Sequence, residues 1–208
     1  MAMRAVFCIL ICWAVSACAL TKDYIDVPYQ AGANLAVVEG APAAKVNVTG
    51  VDGRTVYKDR VSVKKNGYGM EMAEIVARNN VPETVAQAIE QELSSLGFTI
   101  GPGGSVVNVT VTRFYNDFKT GFFSGDAVAE VNLNVTVIGP DKAITYSKYY
   151  EAGGIEKNIM MASGDNARAA LIIALRNAVA SVINDSELQK ALLGVAKPPV
   201  AGGGPPTS

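Results

Sequence analysis

Histidine is missing from all 208 residues of this chain. That absence removes imidazole general bases, Ser-His-Asp and Cys-His nucleophile activation, and His-ligated zinc together. Cysteine is scarce, and its three positions, Cys8, Cys12 and Cys18, all precede residue 19. The body of the chain therefore has no thiol and no disulfide, even in an oxidising compartment. Charge is sparse too: 18 Lys and Arg oppose 19 Asp and Glu, a formal balance of −1. Such a surface lacks the basic footprint that nucleic acid requires and the charge that adhesion to anionic lipid requires. Carboxylates are too thinly spread for a hard-cation cage, Asp23 with Asp26 and Asp141 alone being the nearest approach. No catalytic residue, no metal and no cofactor are expected.

What the chain does have begins at its N-terminus. An apolar run from Ala5 to Val15 leads into Val15-Ser16-Ala17-Cys18. A short apolar core followed by small residues at a cleavage point is a secretory-signal pattern, and the run is too short for a membrane span of about 20 residues. With Cys as the first residue after the cut, the run resembles the lipobox of bacterial lipoproteins. That resemblance implies removal of residues 1–17 and a diacylglycerol on Cys18, which becomes the lipidated N-terminus. A plain secretory peptide fits the length but does not require Cys at the cut. Arg4 is the leader's only charge, so the mature balance is 18 − 1 = 17 basic against 19 acidic, or −2. Attachment to the membrane then rests on the acyl chains.

Residues 18–43 read as the lipidated N-terminus and a tether, with Pro28, Gly32, Gly40 and Pro42 among small residues. A flexible coil of this length reaches about 25–30 Å on average and would hold the domain clear of the bilayer. The alternative is that Tyr24–Val27 pairs with a sheet edge. A single domain is expected over 44–195, followed by a disordered Pro/Gly tail over 196–208. No stretch after the leader is read as long enough to span a bilayer.

Within that domain, Lys45–Val51 alternates as a strand, and Asp52-Gly53 is a turn dipeptide. Val61–Lys65 and Gly69–Ile75 are weaker extended candidates. A helix follows over Val81–Leu96, with Asn80 and Glu83 as a capping box, Val85, Ala88, Ile89, Leu93 and Leu96 as its apolar stripe, and Gly97 as its stop. Three long strands come next: one through Val107, Val109 and Val111, the clean alternation over 126–137, and Ala143–Glu151 with Ile144, Tyr146 and Tyr150 in step. Arg113 interrupts the first of them and predicts a bulge or the end of pairing. A second amphipathic helix is expected over Asp165–Asn184, and Ser186 with Gln189 predicts the cap of a short last helix. The fold class is α+β: a two-layer arrangement in which two main amphipathic helices cover one face of an antiparallel sheet and water meets the other.

On these residues the chain resembles the YajG-type family of bacterial outer-membrane lipoproteins, whose function is largely uncharacterised. The resemblance rests on the lipobox, Asp52-x-Arg54 after a Val-rich strand, and Leu96-Gly97-Phe98 before Gly101-Pro102. It continues through Val107-Asn108-Val109, the 126–137 strand, Tyr149 and the last long helix. It implies a lipid-anchored domain on the outer membrane, facing the periplasm, and supplies no catalytic residue.

Apparent motifs elsewhere have simpler explanations. Gly67-Tyr68-Gly69 lacks the strand–helix setting of a dinucleotide fingerprint, and Gly101–Gly104 lacks the Lys-Ser/Thr end of a phosphate loop. Ser124 and Ser163 have no base in a histidine-free chain. Asn47, Asn108 and Asn134 begin Asn-Val-Thr triplets that read as polar-face strand residues. Phe118, Phe122 and Phe123 are different: aromatics at a hairpin tip, where polar residues belong, mark a contact site or else fold back as a cap on the sheet. Two function classes remain. One is a non-catalytic adaptor that docks an envelope protein or polymer. The other is a lipid- or hydrophobe-handling auxiliary of an envelope transport system, which requires an apolar groove between helices and sheet.

Overall fold

The computed structural model describes residues 20–31, 36–119, 121 and 124–194. The leader, Cys18, Phe122, Phe123 and the 196–208 tail lie outside the described residues. The alternation over 126–137 is realised in full. In β7 (Gly125–Ile138) every second residue from Ala127 to Val137 is completely buried, and those between are not. It pairs antiparallel on both sides, with β6 (Ser105–Lys119) and with β8 (Ile144–Ile159). Of the two outcomes expected at Arg113, a bulge or the end of pairing, the bulge is found, as a register shift between Val111 and Arg113 with pairing continued to Lys119. It passes the core face from Val107, Val109 and Val111 to Phe114, Asn116 and Phe118. β8 runs well past the expected Glu151. A shift beside Ile138 leaves Ile144 exposed, while Tyr146 and Tyr150 turn inward.

Two long helices cover the inner face, as their stripes require. Helix α1 (Val81–Ser95) starts where the Asn80 side chain accepts the Glu83 N–H, and it stops at Gly97, whose φ is 95°. Helix α2 (Gly164–Ile183) is capped by Ser163 and buries Ala167, Ala170, Leu171, Ala174, Leu175 and Ala178. By length and composition α2 could cross a bilayer, which the sequence did not lead one to expect, but half of it is buried inside the protein. The short α3 (Ser186–Leu192) is capped by Asp185, one residue before the predicted Ser186. The Asp185 side chain reaches both the Glu187 and the Leu188 N–H.

The simple antiparallel two-layer arrangement needs correcting. The larger sheet is mixed, in the order β5-β2-β6-β7-β8, because β2 (Lys45–Asp52) runs parallel to β6 and to β5 (Thr99–Ile100). The physical reason lies after Asp52. Gly53 donates to the Val111 carbonyl and extends the β2–β6 ladder instead of starting a hairpin. Arg54 folds back onto the Asp52 carboxylate at 2.9 Å and onto the Tyr57 and Lys58 carbonyls at 3.3 Å. The pinned loop carries the chain away from β2, and only after α1 does it return, in the same direction, as parallel pairing demands.

What the loop reaches is a second sheet, in the order β1-β4-β3, made of β1 (Asp23–Ile25), β4 (Glu71–Ala77) and β3 (Ser62–Lys65). It takes over the edge of β6 where β2 stops. The Asn116 N–H donates to the Val61 carbonyl, and the Ser62 hydroxyl donates to the Asn116 carbonyl, both at 2.8 Å. One of the two mixed sheets curls into a half-barrel, and both sheets share one core that includes Ile25, Val27, Val61 and Ile75.

The stretch expected as a tether is therefore largely built in, and the alternative pairing of this stretch with a sheet is the one observed. Asp23, Tyr24 and Ile25 pair in parallel with Ile75, Val76 and Ala77. Val27 and Ala41 are fully buried, and the Lys64 ammonium donates to the Thr21 carbonyl at 2.9 Å. Proline and glycine in the stretch conceal two core aliphatics spaced to face inward.

Candidate functional site

One end of the domain gathers three connections. The β3–β4 turn is closed by Asn66, whose side-chain oxygen accepts the N–H groups of Tyr68 and Met70, both at 3.0 Å. Gly69, at φ 80°, completes the reversal, so Gly67-Tyr68-Gly69 is a hairpin turn and not a nucleotide loop. Beside it lies the β8–α2 connection, held by the Asn166 amide donating to the Met161 carbonyl at 2.9 Å. The β6–β7 connection is the third. Together they line a depression of about 230 Å³ with Lys65, Phe118, Ile159, Met160 and Met161 among its walls.

Phe118 is a correction to the expected contact triad. It is 3% exposed and belongs to the core, because the bulge at Arg113 puts it in step with Phe114. Phe122 and Phe123 lie outside the described residues. Around Phe118 the charges are paired: Asp117 bridges Lys65 at 2.5 Å and Lys119 at 2.7 Å. Burial pushes the Asp117 carboxyl up, but the two ammonium groups outweigh it and hold the group below its usual range.

The N-terminal strand is locked to this same end. Asp23 accepts the Gly164 N–H at 2.9 Å and pairs with Lys64 at 2.7 Å, so the first turn of α2, β3 and β1 converge on one carboxylate.

Two further polar clusters stand elsewhere. Asp185 faces the Tyr146 hydroxyl at 2.9 Å, the Tyr150 hydroxyl at 3.0 Å and the Lys148 ammonium at 2.6 Å, while the two hydroxyls also touch each other, so two phenolic protons are shared among three oxygen contacts. Burial acts to raise the Asp185 carboxyl, but the donors from Lys148, the Glu187 N–H and the two tyrosines dominate and hold it far below the carboxylate range. Both phenols are pushed above the ordinary tyrosine value, burial being the main cause. The signal was in the sequence: Tyr146, Lys148 and Tyr150 share one strand face, opposite an Asp that begins a helix. The other cluster is a cleft of about 450 Å³ bounded by Asp52, Arg54, Arg60, Asn79 and Asn80. Arg54 is consumed by its own loop, and Arg60 lies over the Tyr57 ring and pairs with Glu74 at 3.2 Å. Among the described residues no group of three or more His, Cys, Asp or Glu is placed to hold a metal ion.

Residues 33–193 match a family model described as an uncharacterized lipoprotein. The chain belongs to this lipoprotein family, the YajG family of the sequence resemblance. The match starts after Cys18, so it stands on the folded body of the chain rather than on its leader. No curated protein matches the chain. Among solved structures, the chain is similar to protein XCC0632 from Xanthomonas campestris, of the DUF330 family model. There the TM-score is 0.54 at 12% identity, over 84% of this chain and 96% of that one. An uncharacterized protein gives a TM-score of 0.50 at 14% identity, over 78% of this chain and 97% of that one. These likenesses show that the lipoprotein's fold recurs; at such identities they show the fold alone.

Proposed function

We propose that the chain is a lipid-anchored, non-catalytic interaction module of the bacterial cell envelope, acylated at Cys18 and facing the periplasm from the outer membrane. Membership of a lipoprotein family and the Val15-Ser16-Ala17-Cys18 run support the anchor. The observation that carries the non-catalytic reading is the closure of the polar clusters on themselves. Asp185 spends its carboxylate on two tyrosines, a lysine and a helix cap, and Arg54 spends its guanidinium on its own loop. A chemical site instead aims such groups into open space.

The space between helices and sheet is filled by Val107, Val109, Leu133, Leu171 and Leu175, all fully buried, which favours docking an envelope protein or polymer over storing a lipid inside. Acyl chains contribute about 0.8 kcal/mol per buried CH₂, so two or more chains make the attachment effectively permanent. Growth with a labelled fatty acid tests the anchor: wild type takes up the label, Cys18→Ala does not, and an unlabelled wild type sinks the reading. Density fractionation separates outer from inner membrane. Crosslinking in cells then identifies the partner, whereas stoichiometric lipid retained in native mass spectrometry supports the lipid-handling role.

A further inference from the structure

The N-terminal residues of the fold point the chain toward one particular surface. Strand β1 runs parallel to β4 with Asp23 opposite Ile75, so moving back from Asp23 moves back along β4 toward the β3–β4 turn. The chain is already fixed at Thr21, and three residues span at most about 11 Å, so Cys18 cannot leave this end of the molecule. Four large apolar side chains stand exposed at this end. Tyr68 is 91% exposed, Met70 58%, Met160 85% and Met161 68%. They sit on two connections that flank the same depression, and both connections are stiffened, by Asn66 and by Asn166. The lysines at its rim, Lys65 and Lys119, both pair with Asp117, which leaves a single net positive charge there.

We infer that this end of the domain rests on the lipid surface, with Tyr68, Met70, Met160 and Met161 set into the bilayer interface beside the acylated Cys18. The inference rests on the reading that Cys18 is lipidated. It adds an orientation: the domain is seated on the membrane and not held off it by a leash. Methionine and tyrosine suit such a place, the one apolar and adaptable, the other amphipathic and at home at headgroup depth. Because the rim carries only that single net charge, the contact is chiefly apolar in origin and only weakly dependent on salt. The polar sheet face and the far end of β8, near Ile144, are then left free for a periplasmic partner.

The chain lends itself to a direct test, because its only tryptophan, Trp13, lies in the leader. Single reporters are placed at the seated end (Tyr68→Trp, Met160→Trp) and at the far end (Ile144→Trp) of full-length protein acylated in cells. Each is purified and reconstituted into vesicles of phosphatidylethanolamine and phosphatidylglycerol containing brominated lipid. Interfacial side chains sit about 5–10 Å into the headgroup boundary, so emission at 68 and 160 is quenched at least about twofold more than at 144, at low and at high salt alike. Equal quenching at all three positions overturns the inference, as does shielding of 68 and 160 that appears only when an envelope protein is added. Vesicle flotation and fatty-acid label are read on the same samples. Protein that neither floats nor carries the label removes the anchor itself, while floating, labelled protein with an unquenched reporter at position 68 removes only the seating.

Discussion

The Asp23 carboxylate accepts the backbone N–H of Gly164, 141 residues further along the chain, at 2.9 Å. That bond and the ion pair to Lys64 join the start of the fold to the first turn of α2 and to β3. A carboxylate at a helix N-terminus also meets the positive end of the helix dipole. Asp23→Ala is therefore expected to cost about 1–3 kcal/mol, the usual penalty for losing one partner of a charged, partly buried hydrogen bond. Residues 20–25 should become cleavable under limited proteolysis while the sheet core stays resistant. Unchanged protection of that segment would show that the β1–β4 ladder, the Lys64–Thr21 bond and the burial of Ile25 and Val27 suffice to hold it.

Asp185 makes a pH-dependent prediction. Its carboxyl is held far below the usual range, so its bonds contribute fully above the unfolded value of about 3.9 and are lost as pH falls through the folded one. Asp185→Asn should be less stable than wild type by about 2–4 kcal/mol at pH 7, because it weakens a cap and two further donors and leaves the Lys148 pairing unmade. The gap should begin to close below about pH 5 and go on shrinking as the pH is lowered to about 2 and beyond. Denaturant unfolding at several pH values reads it. A gap that stays constant on acidification would mean that another group carries the effect.

Much of the fold was legible because periodicity specifies which face of an element is buried. Ala127 to Val137, the stripes of α1 and α2, and the interruption at Arg113 all follow from spacing alone. Periodicity does not specify the partner or direction of a strand. The parallel pairing of β2 depends on the Asp52–Arg54 contacts, and a turn dipeptide does not reveal that the loop behind it is pinned. The strands of the second sheet were legible only as weaker candidates, at Tyr24–Val27, Val61–Lys65 and Gly69–Ile75, and nothing in such short runs says that they pair with one another. At the candidate site the aromatics of the β6–β7 turn were visible in the sequence, but the bulge that sends Phe118 inward lies five residues earlier, at Arg113.

At Gly154 the backbone of α2 lies directly against β8. A Cβ there would collide with the Ala170 carbonyl oxygen and the Ala174 nitrogen, both backbone atoms that cannot turn aside. Gly154→Ala should cost about 1–3 kcal/mol or more by forcing the helix off β8. Gly67→Ala, which meets nothing within 4 Å, is the matched control and should stay within about 0.5 kcal/mol. Equal effects would mean that α2 can slide along the strand.

The two faces of β7 should differ sharply. Val131→Asp and Leu133→Asp place a carboxylate in the sealed core and should each cost more than about 3 kcal/mol. On the other face Asn134→Ser should stay within about 0.5 kcal/mol, its side chain being exposed. Asn132→Asp is a less clean probe, since Glu151 lies directly opposite on one side and Arg113 on the other, so repulsion and attraction oppose each other. Comparable losses at 133 and 134 would require something to cover the polar face.

The last prediction concerns Phe122 and Phe123. The outermost pair of the β6–β7 ladder is Lys119 with Asp126, and the two phenylalanines lie between them in sequence. With Phe118 assigned to the core, they are what remains of the expected contact site. Replacing both with Ser should leave thermal stability almost unchanged, because in sequence they fall beyond the last pair of the β6–β7 ladder. Crosslinked partner recovery falls tenfold or more if these rings are the partner's contact, as losing two central aromatic anchors costs about 2 kcal/mol or more of binding, whereas intact recovery with weakened membrane seating assigns them to the lipid surface that this end faces. A fall in Tm of about 5 °C or more with partner recovery intact would place both rings in the core. The partner would then have to engage the polar face of β7, around Asn132, Asn134 and Thr136, and charge-reversing substitutions there would be the ones that release it.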